Sequence, residues 1–260
     1  MFRWSEATDF ATAFQPYASV ILLGYVPAMF LLQRRMRDRP TAPCIETLLM
    51  AWNALASSAS LYGFLVLAPV LWRTGCAESL VSMDFLSGPS GRVVFLFNLS
   101  KIPEMLDTVF LVLRKRPLTF LHVFHHWLTA VYCWSTLYSP TPLGLWYATM
   151  NLLVHGIMYG YFATKPFGVQ LVAPVLLTAL QVFQMGVGVA LNLVSLAVVP
   201  HYTPGVVYHA VYGLSMYGCY LYLFGAFFAR KYLPDLPDLP DLPDLPALPA
   251  LPALPDLSDT

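Results

Sequence analysis

The sequence predicts an all-α, polytopic membrane protein with seven transmembrane helices, and three observations carry that expectation. Hydrophobic residues make up 58% of the 260-residue chain and charged residues only 11%, with a mean hydropathy of +0.62. A typical soluble domain carries about 25% charged residues, so this chain has too little polar surface to coat a water-soluble globule. Apolar stretches of the length a bilayer crossing asks for, about 20 residues, occur seven times along it. The basic residues between those stretches sort to alternate loops.

The stretches cover roughly residues 18–33, 46–72, 93–113, 118–138, 143–164, 168–195 and 205–229. Ahead of the first, Met1 to Tyr17 is polar and mixed in charge, so no cleavable signal peptide is expected. The breaks are Arg34-Arg35-Met36-Arg37-Asp38-Arg39-Pro40, the polar stretch 73–92, Arg114-Lys115-Arg116-Pro117, Ser139-Pro140-Thr141-Pro142, Lys165-Pro166 and Pro200-His201-Tyr202-Thr203-Pro204. Most hold proline, which withdraws a helical hydrogen-bond donor, or charge, which resists burial in hydrocarbon.

Seven crossings put Arg34, Arg35, Arg37, Arg39, Arg114, Lys115, Arg116, Lys165, Arg230 and Lys231 on one side, and only Arg3, Arg73 and Arg92 on the other. The positive-inside rule then sets the C-terminus in the cytosol and the N-terminus outside or in a lumen. Six or eight crossings would scatter the basic clusters over both faces. From Leu233 the chain repeats Leu-Pro-Asp and then Leu-Pro-Ala. Proline at every third position forbids helix and sheet ladders and favours an extended polyproline-II rod. Two units are therefore expected: a membrane domain over 1–232 and a low-complexity cytosolic tail over 233–260. The tail holds six of the 14 acidic residues against 14 basic ones elsewhere, so residues 1–232 carry a net charge of +6 behind an overall balance of zero. The basic residues cluster at segment ends rather than on one face, which excludes a nucleic-acid footprint. Cys44, Cys76, Cys133 and Cys219 have no metal-ligand spacing.

Ionisable residues inside membrane helices are costly and mark candidate sites. The third stretch carries Lys101, Glu104, Asp107 and Thr108 at i, i+3, i+6 and i+7, one helical face. A lysine flanked by two carboxylates suits a self-compensating structural ion-pair network as well as a site. The fourth carries His122, His125 and His126 at i, i+3 and i+4, one to two turns inside the basic cluster at 114–116. Three imidazoles on one face point to chemistry more than to packing. The fifth adds Asn151, His155 and Tyr159 at i, i+4 and i+8, and the sixth Thr178, Gln181 and Gln184 at i, i+3 and i+6. For Asn151, Thr178 and Gln184 interhelical hydrogen bonding is as good a reading as a direct role. His201 and His209 fall at the opposite face. Four helices thus turn polar groups toward one cavity in the cytosolic half, suited to a substrate with a polar head at that face and an apolar chain running deeper.

These residues resemble the boxes of the ELO family of membrane fatty acid elongases. Lys101-Ile102-Pro103-Glu104-Met105-Leu106-Asp107-Thr108 is similar to the family's Lys-x-x-Glu-x-x-Asp-Thr box. His122 to His126 resembles His-x-x-His-His, His155 to Tyr159 resembles His-x-x-Met-Tyr, and Thr178 to Gln184 resembles Thr-x-x-Gln-x-x-Gln. Four boxes in order, over about residues 17–231, make the resemblance specific. It implies a seven-helix enzyme of the endoplasmic reticulum membrane that condenses a long-chain acyl-CoA with malonyl-CoA. The product would be a 3-oxoacyl-CoA two carbons longer, with release of CO2 and CoA and no metal or other cofactor. His125 is then the expected nucleophile, with His122, His126 and His155 as its catalytic companions. Lys101, Glu104, Asp107, Thr108, Asn151, Tyr159, Gln181 and Gln184 would bind or orient substrate. Expected partners are the lipid bilayer, the reductase and dehydratase of the elongation cycle, and a second copy in a homodimer.

Several positions depart from the family's pattern. The chain closes on Leu257-Ser258-Asp259-Thr260 rather than a dilysine-type signal, so retention is expected to rest on another feature. Phe162 stands where many members have a second tyrosine, Cys76 has no evident disulfide partner, and Pro117 replaces a glutamine common in polyunsaturated-selective members. The last leans toward saturated or monounsaturated substrates. Asn98-Leu99-Ser100 is formally a glycosylation sequon but lies inside an expected helix. A membrane di-iron desaturase or hydroxylase also uses His-x-x-His-His boxes, but needs more imidazoles than the six histidines here supply. A non-enzymatic seven-helix receptor or transporter would give no reason for the four boxes to stand in this order.

Overall fold

The computed structural model describes residues 1–198 and 204–233, built of α-helices joined by loops and short 3-10 turns. The helices are α1 (Trp4–Met36), α2 (Ile45–Thr74), α3 (Gly88–Ser100), α4 (Leu106–Leu113), α5 (Phe120–Thr136), α6 (Gly144–Thr164), α7 (Pro174–Val198) and α8 (Pro204–Tyr232). By length and composition four of them can cross a membrane: α1, α2, α7 over Pro174–Ala197, and α8. The other three expected crossings are the helices that carry the ionisable residues. At 1.5 Å per residue the 17 residues of α5 span roughly 25 Å, and α3 and α4 need each other to cross a core of about 30 Å.

Two expectations are corrected. The first helix starts at Trp4 rather than near residue 18. Its early polar residues break the hydropathy signal but find partners in the fold. Thr8 Oγ1 donates to Leu137 O at 2.9 Å, and Gln15 Oε1 accepts from Trp134 Nε1 at 2.6 Å and Tyr138 OH at 2.9 Å. Ala7 and Ala11, both at 0% exposure, let this half of α1 approach its neighbours closely. The stretch 93–113 is likewise not one helix. Pro103 cannot donate to Leu99 O, which is taken instead by the Ile102 amide in a 3-10 turn, and a further turn runs over Pro103–Met105 before α4 begins.

α4 ends in a left-handed cap with Lys115 at φ 59°. The Arg116 amide bonds Leu111 O and the Lys115 amide bonds Val112 O, the Schellman pattern with lysine where glycine is usual. The cap turns the Lys115 ammonium back to Arg37 O at 3.2 Å, while Arg114 Nε meets Glu46 Oε1 at 2.8 Å. The loops carrying most of the basic residues therefore meet at one end of the bundle, called here the basic end. At the other, far end, Gly88 N donates to Phe2 O at 3.0 Å and Trp146 Nε1 to Ser79 Oγ at 2.9 Å.

Two helix pairs pack along most of their lengths, α2 on α6 and α7 on α8. The first seam is built of small residues, as membrane helices favour. Ser57 Oγ donates to Gly156 O at 2.8 Å, and a Cβ on Gly156 would lie 2.6 Å from Leu61 Cδ2. α1 lies against α4 and α5, and α5 against α3 and α8, so α5 runs through the middle of the assembly. The 199–203 connection with His201, and the proline-rich tail from 234 on, lie outside the described residues.

Candidate active site

The break between α3 and α4 carries the first half of the site. Lys101, 4% exposed, holds Glu104 at 2.8 and 3.0 Å and Asn151 Oδ1 at 2.8 Å, with its ammonium 4.3 Å above the Phe97 ring. Three acceptor contacts and an aromatic face occupy a cation that has only three N–H donors. Glu104 also accepts from Ser100 Oγ at 2.6 Å, and its second oxygen lies 3.5 Å from His155 Nδ1. One turn on, Asp107 is held by two neutral donors, Trp52 Nε1 and Tyr159 OH, each at 2.6 Å. The structure thus joins the third and fifth expected stretches through Lys101–Asn151, Glu104–His155 and Asp107–Tyr159.

The histidine box opens α5. Thr119 is the N-cap, its Oγ1 accepting from the His122 amide at 3.3 Å, so the first histidine stands in the helix's first turn. His122 Nε2 lies 2.9 Å from Thr108 Oγ1, which shares a second hydrogen bond with Tyr25 OH of α1. The His122 and His126 rings are 4.4 Å apart, and His126 meets His125 edge to face at 5.5 Å. Tyr220 of α8 backs His125. Its ring is 4.7 Å from the imidazole, and its hydroxyl joins His125 O at 3.1 Å and Thr129 Oγ1 at 2.9 Å.

The sixth stretch is less closely tied. Gln181 Nε2 reaches Met158 Sδ at 3.4 Å, Thr178 Oγ1 bonds Pro174 O within its own helix, and Gln184 is 4% exposed. Phe162 is 44% exposed, so the hydroxyl it lacks would have pointed away from this centre. Asn98 is buried on α3, and His209 packs at 2% exposure against Tyr132. Among the described residues no three His, Cys, Asp or Glu side chains converge as a metal-ligand set.

Four contributors were not singled out from the sequence: Tyr25, Trp52, Ser100 and Tyr220. Ser100 had a signal, since it stands beside Lys101 and one turn before Glu104. The three aromatic residues had none, because tyrosine and tryptophan in apolar helices are ordinary.

A cavity of about 50 Å³ adjoins the cluster. Asn151, which bonds Lys101, and Thr129, which bonds Tyr220, line its near end. It continues past Tyr132, Tyr147 and Met216 to Phe85, Pro140, Thr141 and Trp4 at the far end. Along α6 that is the distance from Asn151 to Gly144, roughly 10 Å at 1.5 Å per residue. The imidazoles thus stand between the basic end and a mainly apolar, aromatic cavity.

Fold and site together define a multi-pass helical membrane protein with a buried, imidazole-rich polar centre. Residues 11–236 match the model of the family described as ELO: GNS1/SUR4 family, and the chain belongs to that family. It is 36% identical over 211 residues to "Very long chain fatty acid elongase 4" of Trypanosoma cruzi (strain CL Brener), a match covering 73% of this chain and 66% of that protein. It is 31% identical over 232 residues to "Very long chain fatty acid elongase 6" of Drosophila melanogaster, covering 84% and 71%. To "Fatty acid elongase 1" of Trypanosoma brucei brucei (strain 927/4 GUTat10.1) it is 32% identical over 236 residues, covering 82% and 74%. The chain therefore spans about two thirds of the length of the Trypanosoma cruzi relative, 66%.

Proposed function

We propose that this protein is a fatty acid elongase that condenses a long-chain acyl-CoA with malonyl-CoA to a 3-oxoacyl-CoA. The observation that carries the reading is that the Lys101–Thr108 segment ties both histidine sets, His155 through Glu104 and His122 through Thr108, with His126 packed on His122 and His125 on His126, beside an apolar cavity in a member of the ELO family. The acyl chain lies in the cavity with its thioester at His125. A neutral imidazole nitrogen of His125 attacks the thioester carbon, CoA leaves as thiolate, and an acyl-imidazolium results. Malonyl-CoA then loses CO2, and the electron pair of the broken C–C bond becomes an enolate. The enolate carbon attacks the acyl carbon, the C–N bond to His125 breaks, and the imidazole is regenerated. The thiolate takes up a proton from the solvent and departs as CoA.

The enolate's negative charge needs pre-oriented donors, and His122, His155 and Gln181 are the groups assigned to it. Lys101 lies buried in the cluster with its donors taken by Glu104 and Asn151, and its charge helps to attract the malonyl carboxylate. Asp107, Thr108 and Tyr159 orient these groups, and Gln184 belongs to the same substrate-binding set. The basic end attracts the CoA phosphates. The balance of the reaction needs no further cofactor. The protein resides in the endoplasmic reticulum membrane with its basic end and proline-rich tail in the cytosol, where the reductase and dehydratase of the cycle take the product onward.

The deciding experiment incubates membranes containing the protein with labelled malonyl-CoA and a series of acyl-CoAs. Label is expected in products two carbons longer, and His125→Ala is expected to lower incorporation by about 10³-fold, the scale on which removal of a nucleophile or its stabilising donors acts. Incorporation at the wild-type rate by His125→Ala, or none by the wild type, would overturn the assignment. Intact-mass measurement with acyl-CoA alone is expected to give an adduct of one acyl group, lost in His125→Ala.

A further inference from the structure

The half of α1 that lies ahead of the apolar stretch is where the cavity ends. Trp4, Phe85, Pro140 and Thr141 line its far end, and among the lining residues Trp4 is the one that α1 contributes. Its backbone is anchored on both sides. The preceding Phe2 carbonyl accepts from Gly88 N at 3.0 Å, and Thr8 Oγ1, one turn into α1, donates to Leu137 O at 2.9 Å. The Phe2 ring stacks on Phe95 at 5.7 Å and meets the Trp4 indole edge-on at 6.5 Å. The indole itself is not anchored in this way: Trp4 Nε1 is buried and has no hydrogen-bond partner among the described residues.

The side walls are held differently. Tyr147 OH donates to Asn192 Oδ1 at 2.8 Å, and Tyr132 OH to His209 O at 3.4 Å, so both phenols have a partner behind the wall. At about 50 Å³ the cavity is smaller than the roughly 150 Å³ that takes one benzene ring. An acyl chain therefore has no spare room at the end wall, and the indole, bound by no hydrogen bond among the described residues, forms a wall set by its size alone.

We propose that Trp4 is a specificity-determining residue: its indole closes the far end of the cavity and sets the length of acyl chain the enzyme accepts. The ligand it meets is the methyl end of a fatty acyl chain. The inference rests on the elongase reading above.

Elongation profiles across an acyl-CoA series test it, using the full chain in membranes and wild type, Trp4→Ala, Trp4→Phe and Gly144→Val. Trp4→Ala is expected to move the preferred acyl-CoA at least one two-carbon step longer while still elongating the wild-type substrate, and Trp4→Phe to move it the same way by less. A Cβ on Gly144 would sit 3.8 Å from Phe85 Cζ, ordinary contact, so Gly144→Val fills the same end and is expected to shift the preference shorter. A Trp4→Ala profile that superimposes on an active wild type overturns the role of Trp4 and leaves the elongase reading standing. If Trp4→Ala does not accumulate, Trp4→Phe decides, and an unshifted profile overturns the proposal. A wild type that elongates nothing overturns the elongase reading and the role of Trp4 with it.

Discussion

At the scale of single residues, the centre is a set of imidazoles backed by phenols and threonines from other helices. Tyr220 is the clearest case. It touches His125 with its ring and the His125 carbonyl with its hydroxyl, which also meets Thr129. Removing that hydroxyl as Tyr220→Phe leaves the ring contact and deletes two hydrogen bonds, of which the one to the His125 carbonyl is worth about 1 kcal/mol. The expected outcome is a fall in kcat of about fivefold to tenfold with the KM for acyl-CoA nearly unchanged. A raised KM at constant kcat would mean that Tyr220 serves the substrate and not the histidine. On the opposite side Tyr25 and Thr108 stand behind His122. The histidine spacing and Thr108 were visible in the chain, but Tyr25 and Tyr220 were not, because each comes from a helix far away in sequence and matches no pattern along its own.

At the scale of elements, the break after α3 does what a continuous helix would not. Residues advance 120° each in a 3-10 turn and 100° in an α-helix, so Lys101 and Glu104 are rotated relative to Asp107 and Thr108. Proline in a helix interior costs about 3 kcal/mol relative to alanine, and Pro103 is the residue that imposes the break. Pro103→Ala is expected to leave thermal stability in detergent unchanged or raised, while elongation falls at least about tenfold. Stability and activity lost together would assign Pro103 to packing instead. The α2–α6 seam makes a second element-level demand. Val at position 156 would drive a side chain into Leu61, 2.6 Å from the ideal Cβ, and overpacking of this kind costs about 1–3 kcal/mol. Gly156→Val is expected to lower the melting temperature in detergent. Because it also displaces α6, which carries Asn151, His155 and Tyr159, activity should fall further than the loss of folded protein explains.

At the scale of the whole molecule, the sorting of basic residues and the position of the site agree. The loops that hold Arg37, Arg114 and Lys115 meet at one end, His122 lies one turn inside α5 from that end, and the cavity leads away from it. A substrate with an anionic head and an apolar tail fits that axis in one direction only. An epitope placed after Tyr232 is expected to be cleaved by protease added to sealed microsomes, and one ahead of Trp4 only after detergent. The reverse pattern would turn the bundle over and remove the reason for CoA to approach the basic end.

By itself the sequence determined the membrane class, the order of the helical stretches, the basic-end asymmetry and the residues of the four boxes. These are properties of composition and of spacing along one helix, and both can be read without a partner. The same local reading failed at Thr8 and Gln15, whose polar side chains hid the first half of α1. Only the tertiary structure revealed that Leu137, Trp134 and Tyr138 satisfy them. It also decided that residues 93–113 break at Pro103, that Asp107 rests between Trp52 and Tyr159, and that Trp4 lines the cavity. Each of these depends on which helices lie side by side, and in a chain whose helices are all apolar, hydropathy does not encode which ones do.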